Sequence, residues 1–222
     1  MTVRALREIK NGEEITVSYI ELYQSRWDRK SELYFTKMMK CECERCTKEM
    51  KDSIDKYVEG YLCQDKQCKI KNKGEGLLFY FDEKMFNLLN DLTLSETEKE
   101  NNKSIYEKQL VSTLVKCQYC NYTCPASDID KASKSALSLF LSSKDLFDKE
   151  NFDQSSSSLQ PLLSQYSPLF HTHHALLFSA KSLLVNCLIN QKNYNEAISS
   201  NLFSFYHLFT FSYQNNLFEF RN

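Results

Sequence analysis

The first twenty residues of the chain alternate apolar and polar side chains in the manner of β-strands. The stretch VRALREIKNGEEITVSYIEL predicts a strand, a turn and a second strand. The turn falls at Asn11 and Gly12, because both residue types tolerate a positive φ. In the second strand Ile15, Val17 and Tyr19 occupy alternate positions, so their side chains are predicted to share one face.

A helix is predicted next, over SRWDRKSELYFTK. Ser25 is a favourable N-cap, and Asp28 lies three residues later, where a capping partner is expected. Trp27, Leu33 and Tyr34 are expected to line the buried face of this helix. The helix leads the chain into its first group of cysteines.

The carboxy-terminal part of the chain has the composition of a helical segment. Residues 127–222 contain no glycine, and their only prolines are Pro161 and Pro168. This composition favours helices joined by short turns. One helical hairpin is predicted over residues 131–166, with the serine run from Ser155 to Ser158 as a loose loop.

A second helical hairpin is predicted further along. Its first helix has apolar residues at helical spacing, namely Leu183, Leu184, Cys187 and Leu188. Asn193 is the predicted N-cap of the next helix, with Glu196 three residues later. That helix places apolar residues three or four positions apart, namely Tyr194, Ile198, Leu202, Phe205 and Phe209.

Charge and composition narrow the function classes. The formal net charge is -1, so no overall field attracts nucleic acid or an anionic membrane. The basic KQCKIKNK is offset by the acidic SETEKE without interleaved aromatics, so no direct nucleic-acid binding is expected. No run of about eighteen apolar residues and no apolar segment after Met1 is present, so we expect no membrane span and a location in the cytosol or nucleus.

Seven of the nine cysteines lie in three short clusters, which predicts thiolate metal sites rather than disulfides. Two of the clusters are the pairs Cys63 with Cys68 and Cys117 with Cys120. Two such pairs separated by a long insert are typical of a zinc ribbon. Cys124 follows closely and is either an alternative ligand or a bystander. The run His171 to His174 is expected to form a polar surface rather than a metal site.

The remaining cluster, Cys41, Cys43 and Cys46, supplies three thiolates where tetrahedral zinc takes four ligands. Water, Cys124 or a partner protein is the expected fourth ligand. We therefore predict a tight zinc ion in the ribbon and a more loosely held one here.

The stretch RALREIKNGEEITVSYIEL, then an arginine-containing helix, then CECERC resembles the last part of a SET domain with its post-SET cysteines. It is most similar to the SET-and-MYND subfamily of protein-lysine methyltransferases. The resemblance implies an α+β fold: a small β segment from the end of a SET domain, a cysteine-rich zinc-binding module, and all-α hairpins similar to tetratricopeptide repeats. The corresponding domains would be residues 1–50, 51–126 and 127–222, the last of them incomplete.

The same resemblance implies a reaction, the transfer of a methyl group from S-adenosylmethionine to a protein lysine. Tyr19, the tyrosine of the SY motif, would lie where the methyl donor meets the substrate lysine and would be the catalytic residue. Its phenol oxygen is suited to orienting the amine and stabilising the changing charge. The cofactor site would include Tyr19 and Met39, although Lys37 and Met39 stand where the family has aromatic residues.

Two functions compete on this reading. In the family, an upstream Asn-His-x-Cys segment supplies the fourth zinc ligand and part of the cofactor site, and this sequence has no Asn-His dipeptide. The chain is therefore expected to be part of a methyltransferase acting on a protein substrate, and not to bind S-adenosylmethionine alone. The alternative is a catalytically inactive zinc and helical-repeat scaffold that binds a protein partner. Apolar residues near both ends, such as Val17 and Phe209, also predict self-association.

Overall fold

The computed structural model describes residues 8–12, 18–71, 76–80, 82, 84, 86–87, 90–91 and 93–200. Within these residues the main helices are α1 Arg26–Lys37, α2 Glu44–Thr47, α3 Asp55–Val58, α4 Lys66–Lys71, α5 Glu96–Ser112, α6 Ala126–Asp148, α7 Phe152–Tyr166 and α8 Ala175–Asn190. A 3-10 turn covers Met50–Asp52, and residues 194–200 are helical. The strands are β1 Tyr61–Leu62, β2 Leu77–Leu78, β3 Leu114–Lys116 and β4 Thr123–Pro125. None of the helices in these ranges is both long and apolar enough to cross a membrane.

The predicted turn at Asn11 and Gly12 is confirmed, and Gly12 has a φ of 83°. Such a φ is favourable for glycine and costly for most other residues. The apolar positions of the two predicted strands at Val3, Ala5, Ile15 and Val17 lie outside the described residues.

Helix α1 begins as its sequence predicts, but its buried face differs from the prediction. The Ser25 hydroxyl accepts a hydrogen bond of 3.0 Å from the backbone N–H of Asp28. Leu33 is buried as expected, whereas Trp27 and Tyr34 are only half-buried. The other buried residues of the helix are cationic, namely Arg26, Arg29 and Lys30. Arg26 and Arg29 pair with a carboxylate of α3, that of Asp55, and the Lys30 ammonium lies over the Phe86 ring.

The cysteine-rich middle of the chain contains two small antiparallel sheets. Strand β1 pairs with β2, and β3 pairs with β4 in the register Val115 opposite Cys124. Helix α5 precedes β3, and its start is fixed by a capping box between Ser95 and Glu98. The buried core of this region consists largely of cysteine thiols and aliphatic side chains, so the two sheets position sulfur atoms in the interior.

Helices α6, α7 and α8 pack side by side and enclose the largest core of the described residues. The predicted apolar face of α8 is confirmed, with Leu183, Leu184, Cys187 and Leu188 all buried. The loose loop predicted at Ser155 to Ser158 is wrong, because the serine run lies inside α7. Ser155 is fully buried and donates a hydrogen bond of 2.7 Å to the Ser143 carbonyl of α6. Small hydroxyl side chains here allow two helices to approach closely.

Hydrogen bonds connect the helical segment to the segments that precede it. The Tyr23 hydroxyl donates to the His173 carbonyl at 2.8 Å, and the Tyr23 ring packs on Phe178 with centroids 4.7 Å apart. The histidine run is therefore not the exposed polar surface that was predicted. His174 is buried, stacks on Phe170 with centroids 4.2 Å apart, and caps α8.

Candidate metal centres

Four cysteine side chains converge at the centre of the cysteine-rich module. The sulfur atoms of Cys63, Cys68, Cys117 and Cys120 all lie within 4.8 Å of one another. Cys63 Sγ is 3.6 Å from Cys120 Sγ, and Cys68 Sγ is 3.8 Å from Cys117 Sγ. Tetrahedral zinc with Zn–S bonds of about 2.3 Å separates its sulfurs by about 3.8 Å. The four-thiol group therefore has the dimensions of a structural zinc site.

Local structure explains how each of these thiols is positioned. Cys63 directly follows β1, and its backbone N–H donates to the Gly76 carbonyl at 2.8 Å. Cys68 lies in the first turn of α4. Its backbone N–H donates a hydrogen bond of 2.7 Å to the Asp65 carboxylate, which caps the helix. Cys117 and Cys120 lie on the tight connection between β3 and β4, which a bond from Cys117 N–H to the Tyr122 carbonyl closes. The two cysteine pairs are thus presented by two separate turns.

Backbone donors point at the sulfurs of the second pair. The Tyr119 N–H lies 3.4 Å from Cys117 Sγ, and the Tyr122 N–H lies 3.4 Å from Cys120 Sγ. The Tyr122 N–H holds the pKa of the Cys120 thiol below its usual value. Burial raises the pKa of the Cys63 thiol, so without a metal this thiol stays protonated. Bound zinc would remove that proton, because it binds cysteine as the thiolate.

Cys124 is buried but is not a member of the four-thiol group. It lies opposite Val115 on β4, within the apolar part of the same core. Burial raises the pKa of its thiol, as is usual for a cysteine that serves as a small apolar side chain. The geometry therefore indicates that Cys124 is a core residue beside the four-thiol group and not one of its ligands.

A second group consists of Cys41, Cys43 and Cys46, whose sulfurs also lie within 4.8 Å of one another. In the described part of the chain, no further His, Cys, Asp or Glu side chain joins these three. Cys46 is buried, Cys41 is half-buried and Cys43 is exposed, so the group opens towards solvent on one side. Burial raises the pKa of Cys46 to about 12. Burial acts in the same direction on Cys43, but hydrogen bonds from Cys46 and Cys41 outweigh it and hold the pKa of Cys43 below its usual value.

Sequence reasoning did not identify the charged residues that support this second group. Asp55 of α3 is fully buried and forms ion pairs with three arginines, namely Arg26, Arg29 and Arg45. Arg29 also lies 3.9 Å from Cys46 Sγ. The sequence does contain a sign of these residues. Arg26 and Arg29 are spaced so that they share a helix face with the buried Leu33, and two cations on an apolar face indicate a buried carboxylate partner.

The residues predicted for catalysis and cofactor binding lie at the surface. Tyr19 belongs to a bend and is 62% exposed, and Met39, just beyond the end of α1, is 36% exposed. A cleft of about 280 Å³ opens nearby beside Cys41. Neither Tyr19 nor Met39 lines it; the described lining residues are Lys30, Tyr34, Lys40, Cys41, Phe86, Asn87, Asn90 and Asp91. The described residues therefore do not bring Tyr19 and Met39 into one enclosed pocket.

Comparison with known proteins relates part of the chain to SET and MYND domain-containing proteins. One such protein of Dictyostelium discoideum is 38% identical over 95 residues, which are 42% of this chain and 22% of the relative. Protein SET DOMAIN GROUP 41 of Arabidopsis thaliana is 42% identical over 62 residues, 28% of this chain and 11% of its own length. The N-lysine methyltransferase SMYD2 of Homo sapiens is 46% identical over 50 residues, 22% of this chain and 12% of the relative.

These matches confirm the predicted resemblance to the SET-and-MYND-type proteins over part of the chain. The chain spans less than a quarter of the length of these relatives. No family model matches the chain, and no solved structure matches it significantly.

Proposed function

We propose that this chain carries the zinc-bound scaffold of a SET-type protein-lysine methyltransferase. Its parts are the end of a SET domain with post-SET cysteines, a zinc ribbon, and helical hairpins of the tetratricopeptide type. The support is a combination of two observations. Part of the chain is similar to methyltransferases of the SET and MYND type, and its cysteine side chains converge into two groups of metal-binding dimensions. On this proposal the protein works in the cytosol or nucleus and acts on another protein.

The four-thiol convergence is the observation that most strongly supports the scaffold. Cys63 and Cys68 are separated in sequence from Cys117 and Cys120 by almost fifty residues, yet their sulfurs fit one tetrahedral ion. Bound zinc would supply four strong bonds that join the two turns. The three-thiol group of Cys41, Cys43 and Cys46 would hold a second zinc ion, completed by a ligand from water or a partner.

The metal part of the proposal is tested by native mass spectrometry of the purified chain during titration with a chelator. We expect two zinc ions per chain, one of them retained at chelator concentrations that remove the other. Cys120→Ser should abolish the tightly held ion, whereas Cys41→Ser should abolish the labile one. Equal retention of both ions would contradict the assignment, and a zinc-free chain would contradict the scaffold itself.

For the methyl transfer, we propose Tyr19 as the catalytic residue and Tyr19 and Met39 as contributors to the cofactor site. S-adenosylmethionine would supply the methyl group to a lysine amine of the protein substrate. The exposed phenol of Tyr19 is accessible to such an amine and, as a hydrogen-bonding group, can orient its lone pair towards the methyl carbon.

The test of catalysis uses the natural gene product, isolated from its own cells with antibodies against this chain. Incubation with labelled S-adenosylmethionine and an extract of cellular proteins should label lysine side chains. A Tyr19→Phe allele should reduce labelling by about tenfold or more, because it removes the phenol oxygen but keeps the ring. Labelling that is unchanged by this substitution would remove Tyr19 from the mechanism.

A second candidate function is an inactive scaffold that binds a protein. The observation favouring it is the surface position of Tyr19 and Met39, neither of which lines the cleft beside Cys41. The same experiments separate the two functions. A natural gene product that retains both zinc ions but labels no lysine would support the scaffold and exclude the enzyme.

A further inference from the structure

We propose that Arg29 is a positioning residue of the three-cysteine metal site, where its guanidinium group donates a hydrogen bond to the Cys46 thiolate and balances the charge of the metal–thiolate unit. This inference rests on the proposed zinc site at Cys41, Cys43 and Cys46. It adds a second layer of residues, arranged around Asp55, to a site otherwise defined by cysteines alone.

The guanidinium of Arg29 is held at both ends. Nη1 donates to the Gln24 carbonyl at 2.6 Å, and Nη2 lies 2.8 Å from Asp55 Oδ2. The same Nη2 lies 3.9 Å from Cys46 Sγ, within the longer reach of a hydrogen bond to sulfur. Arg29 is 2% exposed, so water does not compete for these donors. A side chain fixed in this way can point at the sulfur without losing further conformational entropy when metal binds.

Asp55 extends this arrangement from the sulfur to the backbone of the cysteine turn. Its Oδ1 pairs with Arg45 at 2.7 Å, and its Oδ2 pairs with Arg26 at 3.0 Å as well as with Arg29. Arg26 in turn donates to the carbonyls of Arg45 and Lys48, at 3.1 and 2.8 Å. Those two carbonyls flank Cys46. One buried carboxylate thus fixes both the turn that carries Cys46 and the cation that faces its sulfur.

The charge balance of this cluster calls for an anionic neighbour. The three guanidinium groups form ion pairs with the single carboxylate of Asp55. Glu59 accepts a hydrogen bond from the backbone N–H of Arg26, but burial raises its pKa to about 7, so it is not a full negative charge at neutral pH. Three positive charges less one from Asp55 and a fraction from Glu59 leave more than one positive charge. Buried charge is costly unless it is compensated. A zinc ion has two positive charges and three thiolates have three negative charges, so the zinc–thiolate unit has a net charge of one negative. This unit would lie against Arg29.

A hydrogen bond from a cation to a ligand sulfur has two effects on a metal site. It stabilises the thiolate form, so the site holds its ion against protons and chelators. It also withdraws electron density from the sulfur, which raises the energy of thiolate-to-metal charge transfer. The second effect is spectroscopic, and a purely structural role for Arg29 would not produce it.

The test uses the full chain loaded with Co²⁺, which occupies thiolate zinc sites and reports on them by absorption. The variants are Arg29→Met, which removes the donor, and Arg29→Lys, which keeps the charge but cannot bridge Asp55 and the sulfur. We expect Arg29→Met to weaken cobalt retention at the three-cysteine site by about tenfold or more and to shift its charge-transfer band to lower energy. Arg29→Lys should give a smaller change of the same sign. The four-cysteine site of the same molecule is the internal control and should keep its affinity and spectrum.

Each other result counts against the inference. Unchanged retention and band position in both variants would overturn it. Loss of both metals together would also overturn it, since Arg29 would then support the fold as a whole rather than one site. Absence of any metal from Cys41, Cys43 and Cys46 in the unmodified chain would refute the proposed zinc site, and this inference with it.

Discussion

Gly76 lies so close to Cys68 that it has no room for a side chain. A Cβ atom built on Gly76 would stand 2.7 Å from Cys68 Sγ and 3.3 Å from Cys117 Sγ. The backbone of Gly76 therefore forms one wall of the four-cysteine site, and its carbonyl also accepts the hydrogen bond from Cys63 N–H. This close approach is the structural reason for glycine at this position.

Gly76→Ala should therefore weaken metal binding by the four-cysteine site. The added methyl group must displace a sulfur, which distorts the tetrahedron, and we expect about tenfold or greater loss of zinc affinity. The zinc affinities of Gly76→Ala and of the unmodified chain are measured by competition with a chelator. Gly12→Ala is the matched control, because it strains a backbone with positive φ but meets no atom within 4 Å. Similar affinities for Gly76→Ala and the unmodified chain would show that the site has more room than its geometry indicates.

Substitution of Cys124 should have no effect on metal content. Its thiol is buried in the apolar part of the core and lies outside the four-thiol group. We expect Cys124→Ser to retain both zinc ions in native mass spectrometry, and to lose about 1 kcal/mol of unfolding free energy from burial of a hydroxyl. Cys120→Ser is the positive control. Loss of one ion from the Cys124→Ser protein would restore Cys124 as a ligand.

The parts of the molecule that sequence patterns predicted are those determined by neighbours along the chain. The Ser25 cap depends on Asp28, three residues away, and the buried stripe of α8 depends on helical periodicity. The cysteine pairs were also recognisable, since each pair is local and two pairs together supply the four thiolates of a tetrahedral site. Such features need no knowledge of distant contacts.

The features that were missed depend on long-range packing. Two arginines on the apolar face of α1 pair with Asp55, which lies 26 residues beyond Arg29 and is fully buried. The serine run resembled a loop by composition, but Ser155 is buried where α7 meets α6. A polar side chain inside a helix can be a contact residue whenever a neighbouring helix supplies its hydrogen-bond partner.

Ser155 should accordingly be sensitive to an increase in size. Ser155→Leu would force a larger side chain against Ser143 and Cys187, and overpacking of this kind costs about 1–3 kcal/mol. Denaturant unfolding monitored by circular dichroism is the measurement. Ser157→Leu is the matched control on an exposed face of the same helix, where a change within about 0.5 kcal/mol is expected. Equal stability of the two variants would contradict the buried position of Ser155.

The free energy of unfolding should depend on the buried histidines below neutral pH. Burial lowers the pKa of His174 to about 3 and that of His171 to about 4, against about 6.5 in an unfolded chain. The unfolded chain thus binds protons that the folded chain does not. The contribution of each histidine to the free energy of unfolding is fully present above about pH 6.5. Below that pH it falls by about 1.4 kcal/mol per pH unit, until the pKa of the histidine in the folded chain is reached.

His174→Asn isolates this contribution, because asparagine can still accept the N-cap hydrogen bond from Leu176 but does not titrate. Between pH 6 and pH 4 the variant should lose stability less steeply than the unmodified chain, by about 1.4 kcal/mol per pH unit. Acid also releases thiolate-bound metal from both proteins, so the difference between the two curves is the informative quantity. Parallel curves would show that His174 is protonated in the folded chain.

The isolated chain should not bind S-adenosylmethionine with micromolar affinity. Small-molecule sites in proteins bury about 70–90% of the ligand surface. Tyr19 is 62% exposed, Met39 is 36% exposed, and the cleft beside Cys41 is lined by neither. An adenosyl group at Tyr19 would therefore contact few of the described side chains, and these contacts would not compensate for the entropy lost on binding.

Isothermal titration calorimetry of the zinc-loaded chain with S-adenosylmethionine tests this prediction and should show no saturable heat up to about 100 µM ligand. Saturable binding that Tyr19→Phe weakens would instead show that these 222 residues by themselves form a cofactor site that includes Tyr19.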